Sequence, residues 1–236
     1  MIGFLSRIRF PERKILLLLL LIGCSILAFE LIEDNATGGG SHRFDRWLLT
    51  AFRQPNDLSV TIGPAWILDA ARDISALGGT TVLALITAVV LGFLKLQRKP
   101  HVMALVFVSV IGGSLLSSLL KTLFARERPS VVPHLAHVTS LSFPSGHSML
   151  SAVTYITLGV LLGQITTHRP TKVYCLGVAV FLSFLIGLSR VFLGVHFPTD
   201  VLAGWCAGVA WATLCVTAAR WLQSRGQIEP PETKAG

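Results

Sequence analysis

Long apolar runs broken by short charged segments set the rhythm of this chain. A helix needs roughly 17–25 predominantly apolar residues to cross about 30 Å of hydrocarbon. Six runs qualify: Ile15 to Ile32, Thr80 to Leu96, Val102 to Phe124, His147 to Thr167, Val173 to Arg190 and Pro198 to Ala219. They predict an all-α integral membrane bundle of six transmembrane helices, built as one domain over residues 1–236. The connection 33–79 reads differently. After the flexible Gly38-Gly39-Gly40, FDRWLLTAFR puts Trp47, Leu48, Ala51 and Phe52 on one helical stripe. AWILDAARDISAL repeats the pattern with Ile67, Leu68, Ala71, Ile74 and Leu77. Both predict amphipathic helices at the membrane surface, whose plain role is anchoring and whose sharper role is to frame an entrance for a lipid. In the third run, Gly112, Gly113, Ser117 and Ser118 make a small-residue face for a closely packed neighbour. The final QIEPPETKAG predicts a disordered tail.

Composition agrees with a membrane solvent: 52% of the 236 residues are hydrophobic and 14% charged, with a mean hydropathy of +0.67. The net charge of +8 does not point to nucleic acid, because the basic residues sit in short loops between runs and not on one long polar face. Anionic headgroups and topology explain them. Four Lys or Arg precede Ile15, three lie in the 95–99 turn, two in the 167–172 turn and three from Arg220 onward, against eight on the other side. Of those eight, Lys121, Arg126, Arg128 and Arg190 lie at or near span ends. Arg43, Arg46, Arg53 and Arg72 lie in one long loop, which weighs little in such a count. Residues 1–14 and 220–236 are therefore expected in the cytoplasm and residues 33–79 outside it. Cys24, Cys175, Cys206 and Cys215 all fall inside apolar runs without Cys-x-x-Cys spacing, so no disulfide framework or thiolate metal site is expected. LIGC at 21–24 is similar to a lipoprotein cleavage box. The apolar run continues to Ile32, whereas a processed signal turns polar soon after its cleavage site.

Three polar clusters interrupt the pattern: Lys121 to Pro129 after the third run, Pro144-Ser145-Gly146-His147 before the fourth, and SRVFLGVHFPTD, 189–200, between the fifth and sixth. Parity puts these connections on one side of the membrane, opposite both termini. Lys121, Arg128, Ser145, His147, Arg190, His196 and Asp200 can therefore meet at the outer surface. Singly each has a plain reading: a snorkelling lysine, a helix cap, a local histidine–aspartate hydrogen bond. Together they place three cations, two histidines and a carboxylate near lipid, where each is costly unless partnered. Fixed cations and the free N–H groups of a helix start suit a phosphate dianion. One neutral imidazole can attack phosphorus and an imidazolium can protonate the departing alkoxide. Asp200 follows Pro198, a favoured first helical residue, so it can reach back to His196, accept its ring N–H and make the other nitrogen the better nucleophile. That makes His196 the attacker and leaves His147 as general acid.

KTLFARERP, PSGH and SRVFLGVHFPTD together resemble the three-part signature of the type 2 phosphatidic acid phosphatase family, K-x6-R-P, P-S-G-H and S-R-x5-H-x3-D. The likeness has no substitution and spans roughly Thr80 to Ala219, the expected catalytic core. It implies a six-helix membrane fold and a metal-free reaction through a phosphohistidine, with no cofactor. It also implies His196 as nucleophile, Asp200 as its partner and His147 as proton donor, with Lys121, Arg128, Arg190, Ser145 and Gly146 on the phosphoryl oxygens. The expected substrates are lipid phosphates of the outer leaflet of the cell's inner membrane: phosphatidic acid, phosphatidylglycerol phosphate or polyprenyl diphosphates. Vanadium haloperoxidases resemble the same signature but are largely soluble and larger. A lipid phosphotransferase would use the same intermediate with another lipid as acceptor. A channel or flippase would place its charges at the midplane. A metal hydrolase would use His134, His137, His147 and His196 as ligands, but His134 and His137 lack helical ligand spacing, and three nearby cations would repel a divalent ion. Which lipid is used, and the oligomeric state, stay open at this level.

Overall fold

The computed structural model describes residues 10–37 and 42–224. The Gly38–Gly40 hinge, the first nine residues and the expected disordered tail lie outside these residues. Eight helices and one short hairpin follow in order: α1 (Phe10–Thr37), α2 (His42–Ala51), β1 (Arg53–Gln54), β2 (Asp57–Thr61), α3 (Ala65–Ala76), α4 (Thr80–Leu96), α5 (Pro100–Phe124), α6 (Gly146–Gln164), α7 (Arg169–Phe192) and α8 (Pro198–Ser224). The long apolar runs become helices because a backbone in hydrocarbon must satisfy its own N–H and C=O groups. Proline opens α5 and α7 within their first turn and begins α8, where its missing N–H costs nothing. Helices α5, α6, α7 and α8 are each long and apolar enough to cross a membrane, and α3 with α4 forms a further candidate span bent by 46°. The chain is thus a mostly helical, multi-pass membrane protein. Helix α1 carries the first apolar run within 28 residues.

Helix α6 sits centrally, packed on α5, α7 and α8, while α8 also carries α1 along its length. Small residues set these approaches. A Cβ added at Gly204 or Gly208 would come within 2.7 Å of the backbone oxygen of Ser145 or Met149, so α8 lies directly on the backbone of α6. Gly112 and Gly113 of α5 face Trp211 of α8, whose indole N–H donates to the Ser109 carbonyl at 2.9 Å. Ser117 is buried, whereas Ser118 of the same expected small-residue face is exposed.

The 33–79 connection departs from its sequence reading in two ways. It contains an antiparallel hairpin, β1 with β2, pairing Gln54 with Asp57, which an all-helical expectation missed because two and five residues are too few to show a period. In α2 the buried stripe is Asp45, Leu48, Leu49 and Phe52, while Trp47 is 62% exposed and Ala51 also faces outward. The i, i+3, i+4, i+7 spacing was present in the sequence, but one of its four positions is a carboxylate. Helix α3 behaves closer to expectation, with Ala71 buried and Ile67 and Leu68 packed against Phe192, Leu193 and Val195 at the end of α7, although Leu77 of the expected stripe falls after the last turn and is exposed.

Candidate active site

Three chain reversals at one end of the bundle bring the polar clusters together. Ala125, in the left-handed conformation (φ 44°, ψ 28°), ends α5 and releases Arg126 to Arg128 into an irregular segment. Ser145 caps α6, its Oγ accepting from the Ser148 amide at 3.5 Å. The third reversal ends α7: the Val195 amide donates to Arg190 O at 3.2 Å and the Gly194 amide to Val191 O at 2.9 Å, the paired bonds of a Schellman stop. Gly194 takes φ +74°, and an added Cβ would stand 2.8 Å from Arg53 Nη2 and 2.9 Å from Pro133 O. The stop therefore needs glycine both for its backbone angle and for space.

Beyond that stop lie His196 and Asp200. Pro198 starts α8, and Asp200, three residues after Phe197, turns its Oδ2 back to the Phe197 amide at 2.9 Å, closing half of a capping box. The same Oδ2 lies 3.4 Å from His196 Nδ1 and accepts from Ser142 Oγ at 2.5 Å. On the other side of the ring, Arg128 Nη1 is 3.2 Å from His196 Nε2. A guanidinium nitrogen can only donate, so Nε2 is the acceptor and carries the lone pair, and Nδ1 carries the proton. The ring is held in the tautomer that leaves the Nε2 lone pair unprotonated. His196 is 1% exposed. Burial pushes its pKa down to about 3; Asp200 opposes the shift, while Arg128 and Arg190 add to it. A lowered pKa keeps the imidazole neutral from about pH 4 upward. Histidine ¹⁵N spectra of the protein in detergent should accordingly show His196 uncharged from pH 5 to 8. A protonation step near the ordinary 6.5 would contradict this geometry.

The cations surround this ring. Arg128 is fastened by Nε to Ser140 O at 2.7 Å and by Nη1 to Val195 O at 2.5 Å. Arg190 is 4% exposed; its Nη1 donates to Ser75 Oγ of α3 at 2.7 Å and its buried Nε has no protein partner. Lys121 Nζ donates to Leu141 O at 2.6 Å, and its Cε lies 3.5 Å from where a Cβ on Gly146 would sit. The lysine stem therefore lies in van der Waals range of the start of α6. His147 is within electrostatic reach of Arg190, His196, Arg128 and Lys121, backed by the Gly78-Gly79 break between α3 and α4. Every residue expected from the sequence thus lies in this one region.

Several contributors escaped sequence reading. Ser142 holds Asp200; Ser75 holds Arg190; Arg126, Asp45 and Thr199 form a buried cluster behind Asp200. Only Asp45 had a signal, as the acid on an apolar stripe. His134 and His137 stay apart from the two site histidines: His134 Nε2 bonds Pro129 O at 2.7 Å, and both line a shallow surface hollow with Arg72. Beside Arg128, a cleft of about 450 Å³ is lined by Ala36, Arg46, Phe124, Arg126, Glu127 and Phe197, among others.

The sequence model of the PAP2 superfamily matches residues 102–224, a stretch holding Lys121, Arg128, Ser145, Gly146, His147, Arg190, His196 and Asp200. The chain belongs to the PAP2 superfamily. Phosphatidylglycerophosphatase B of Bacillus subtilis (strain 168) is 33% identical over 155 residues, covering 64% of this chain and 74% of that protein. Undecaprenyl-diphosphatase of Sulfolobus acidocaldarius is 29% identical over 152 residues, covering 62% of this chain and 66% of its own. Among solved structures, that of a transmembrane PAP2-type phosphatidylglycerolphosphate phosphatase from Bacillus subtilis superposes with a TM-score of 0.75 at 27% identity. It covers 85% of this chain and 96% of that one. PAP2 relatives named as phosphatases and diphosphatases make this chain a phosphoric ester hydrolase, and the apolar helices make it a membrane one.

Proposed function

We propose that this PAP2 protein hydrolyses lipid phosphates at the outer face of the cytoplasmic membrane through a phosphohistidine on His196. The observation that carries the reading is the oriented imidazole: Nδ1 on Asp200, and Nε2, with its lone pair, on the cation Arg128. A phosphoryl group drawn in by Arg128, Arg190 and Lys121 replaces the Arg128 contact at Nε2. The N–P bond forms as the P–O bond to the lipid breaks, and His147 gives its proton to the departing oxygen. Water then attacks phosphorus, His147 takes the proton, and the N–P bond breaks to return a free imidazole and inorganic phosphate. Positioning and charge do most of the work in phosphoryl transfer. The first-turn amides of α6 and the Arg190 Nε supply donors for the phosphoryl oxygens beyond those already bonded within the protein.

The cleft beside Arg128 supports a lipid substrate, since apolar Phe124 and Phe197 share it with basic Arg46. Arg46 comes from α2, which fits the entrance role for the 33–79 connection. Helix α1 completes a six-span topology with both termini inside, and the basic loops orient it. The names of the similar proteins, a phosphatidylglycerophosphatase and an undecaprenyl-diphosphatase, put monophosphate and diphosphate lipids first among substrates. A panel of phosphatidic acid, phosphatidylglycerol phosphate, a polyprenyl diphosphate and a water-soluble ester, assayed for released phosphate in excess chelator, tests the reading. One phosphate released per lipid consumed is expected, with the soluble ester the poorest substrate. Loss of activity in chelator with recovery on adding a divalent ion would refute the metal-free route. Lipid consumption without phosphate release would show transfer to an acceptor lipid instead of water.

A further inference from the structure

The Asp45, Arg126 and Thr199 cluster lies behind Asp200 and takes no part in the steps just described. Arg126 bridges two carboxylates: its Nη1 donates to Asp200 Oδ1 at 2.6 Å and its Nη2 to Asp45 Oδ2 at 2.9 Å. The guanidinium side chain is 9% exposed and both carboxylates are fully buried. It also lies over the Phe197 ring, 4.1 Å from the centroid, and donates to Thr199 Oγ1 at 2.8 Å. Thr199 in turn donates its hydroxyl to Asp45 Oδ2 at 2.8 Å and its amide to Asp45 Oδ1 at 3.1 Å. Asp45 therefore acts as a cap for α8 supplied by α2, a helix more than 150 residues away in sequence. An anion at that position is favoured by the helix dipole and satisfies an orphan N–H.

Consequences for Asp200 follow from its lone pairs. Arg126 occupies Oδ1, so the carboxylate cannot rotate without abandoning a buried cation, and Oδ2 remains on His196, Ser142 and the Phe197 amide. Charge matters as much as geometry. Phosphorylation at Nε2 leaves Nδ1 protonated and the ring positive, so the carboxylate must keep its negative character. Shared with Asp45, the guanidinium is gripped from two sides and is held in place on Asp200 Oδ1.

We propose that Asp45 and Arg126 are positioning residues that hold Asp200 in line with His196 during phosphoryl transfer. This rests on the phosphohistidine reading above and extends it to the 33–79 connection. Through this bridge, α2 is tied to the nucleophile as well as to the cleft that Arg46 lines.

The full-length protein in detergent or nanodiscs tests it with Asp45→Asn, Arg126→Gln and Arg126→Lys. Three quantities are measured: kcat, inhibition by inorganic phosphate, and phosphoenzyme formation in a single turnover. Asp45→Asn should lower kcat about tenfold and Arg126→Gln about 100-fold, with Arg126→Lys recovering part of the loss because charge survives without the two-pronged geometry. The inhibition constant for phosphate should stay within about twofold of wild type, since Lys121, Arg128 and Arg190 are untouched; a merely structural role would weaken binding and turnover together. Unchanged kcat in Asp45→Asn, parallel loss of phosphate affinity, or Arg126→Lys no better than Arg126→Gln would each overturn the inference. Should Asp45→Asn not fold, the comparison of the two Arg126 variants decides by the same criteria. Absence of phosphoenzyme in the wild type would refute the underlying mechanism. Its presence there, with equally fast formation in Asp45→Asn, would refute the positioning role alone.

Discussion

His196→Ala should lower kcat by at least about 10³-fold and abolish the phosphoenzyme, because the proposed attacking nitrogen is removed. His196 is the one ring held between Asp200 and Arg128. Folding must be checked alongside, since the ring is 1% exposed. Its removal leaves Asp200 with one fewer partner, a loss of about 1–3 kcal/mol for a buried polar group. Ser142 and the Phe197 amide still hold Oδ2 and Arg126 still holds Oδ1. The variant should therefore fold with a lowered melting temperature and keep inhibitory binding of phosphate or vanadate. A folded His196→Ala retaining a tenth of wild-type turnover would end the assignment.

His147→Gln should separate substrates by their leaving groups. General acid catalysis is worth about 10²–10⁴-fold when the departing oxygen is a poor leaving group. For an alkyl phosphate such as phosphatidic acid, phosphorylation of His196 should slow by that order. An aryl phosphate needs little protonation, so its first step should survive. The second step still lacks its base, however. The expected record is a burst of one phenol per site followed by slow release of phosphate, with phosphohistidine accumulating. Equal loss on both esters with no burst would mean that His147 only binds the anion, alongside Arg190, Arg128 and Lys121.

These expectations were legible to different depths in the sequence. The signature residues converge as their spacing implied, and the helix starts at Gly146 and Pro198 fall within one residue of the predicted bounds. Thr80–Leu96 is reproduced to the residue. Other ends run longer: α1 continues to Thr37 and α7 begins at Arg169, because polar residues at a membrane surface remain good helix formers and hydropathy alone stops too early. The stripe assigned to α2 was rotated by the same weakness. Hydrophobicity put Trp47 inside, whereas Asp45 is the buried member and Trp47 faces out, a placement that suits an amphipathic indole at a membrane boundary.

Apolar run length, loop charge and three short motifs are local properties of the chain, and from them alone came the membrane solvent, the helical class and the family. Asp45 meeting Arg126 across 81 residues, Ser75 meeting Arg190 across 115 and Ser142 meeting Asp200 across 58 leave no such trace. Those contacts arise where helix ends and connections fold over one another, and a partner there is chosen by distance in space. A buried carboxylate is costly wherever it sits, but only the packed bundle reveals which cation offsets it.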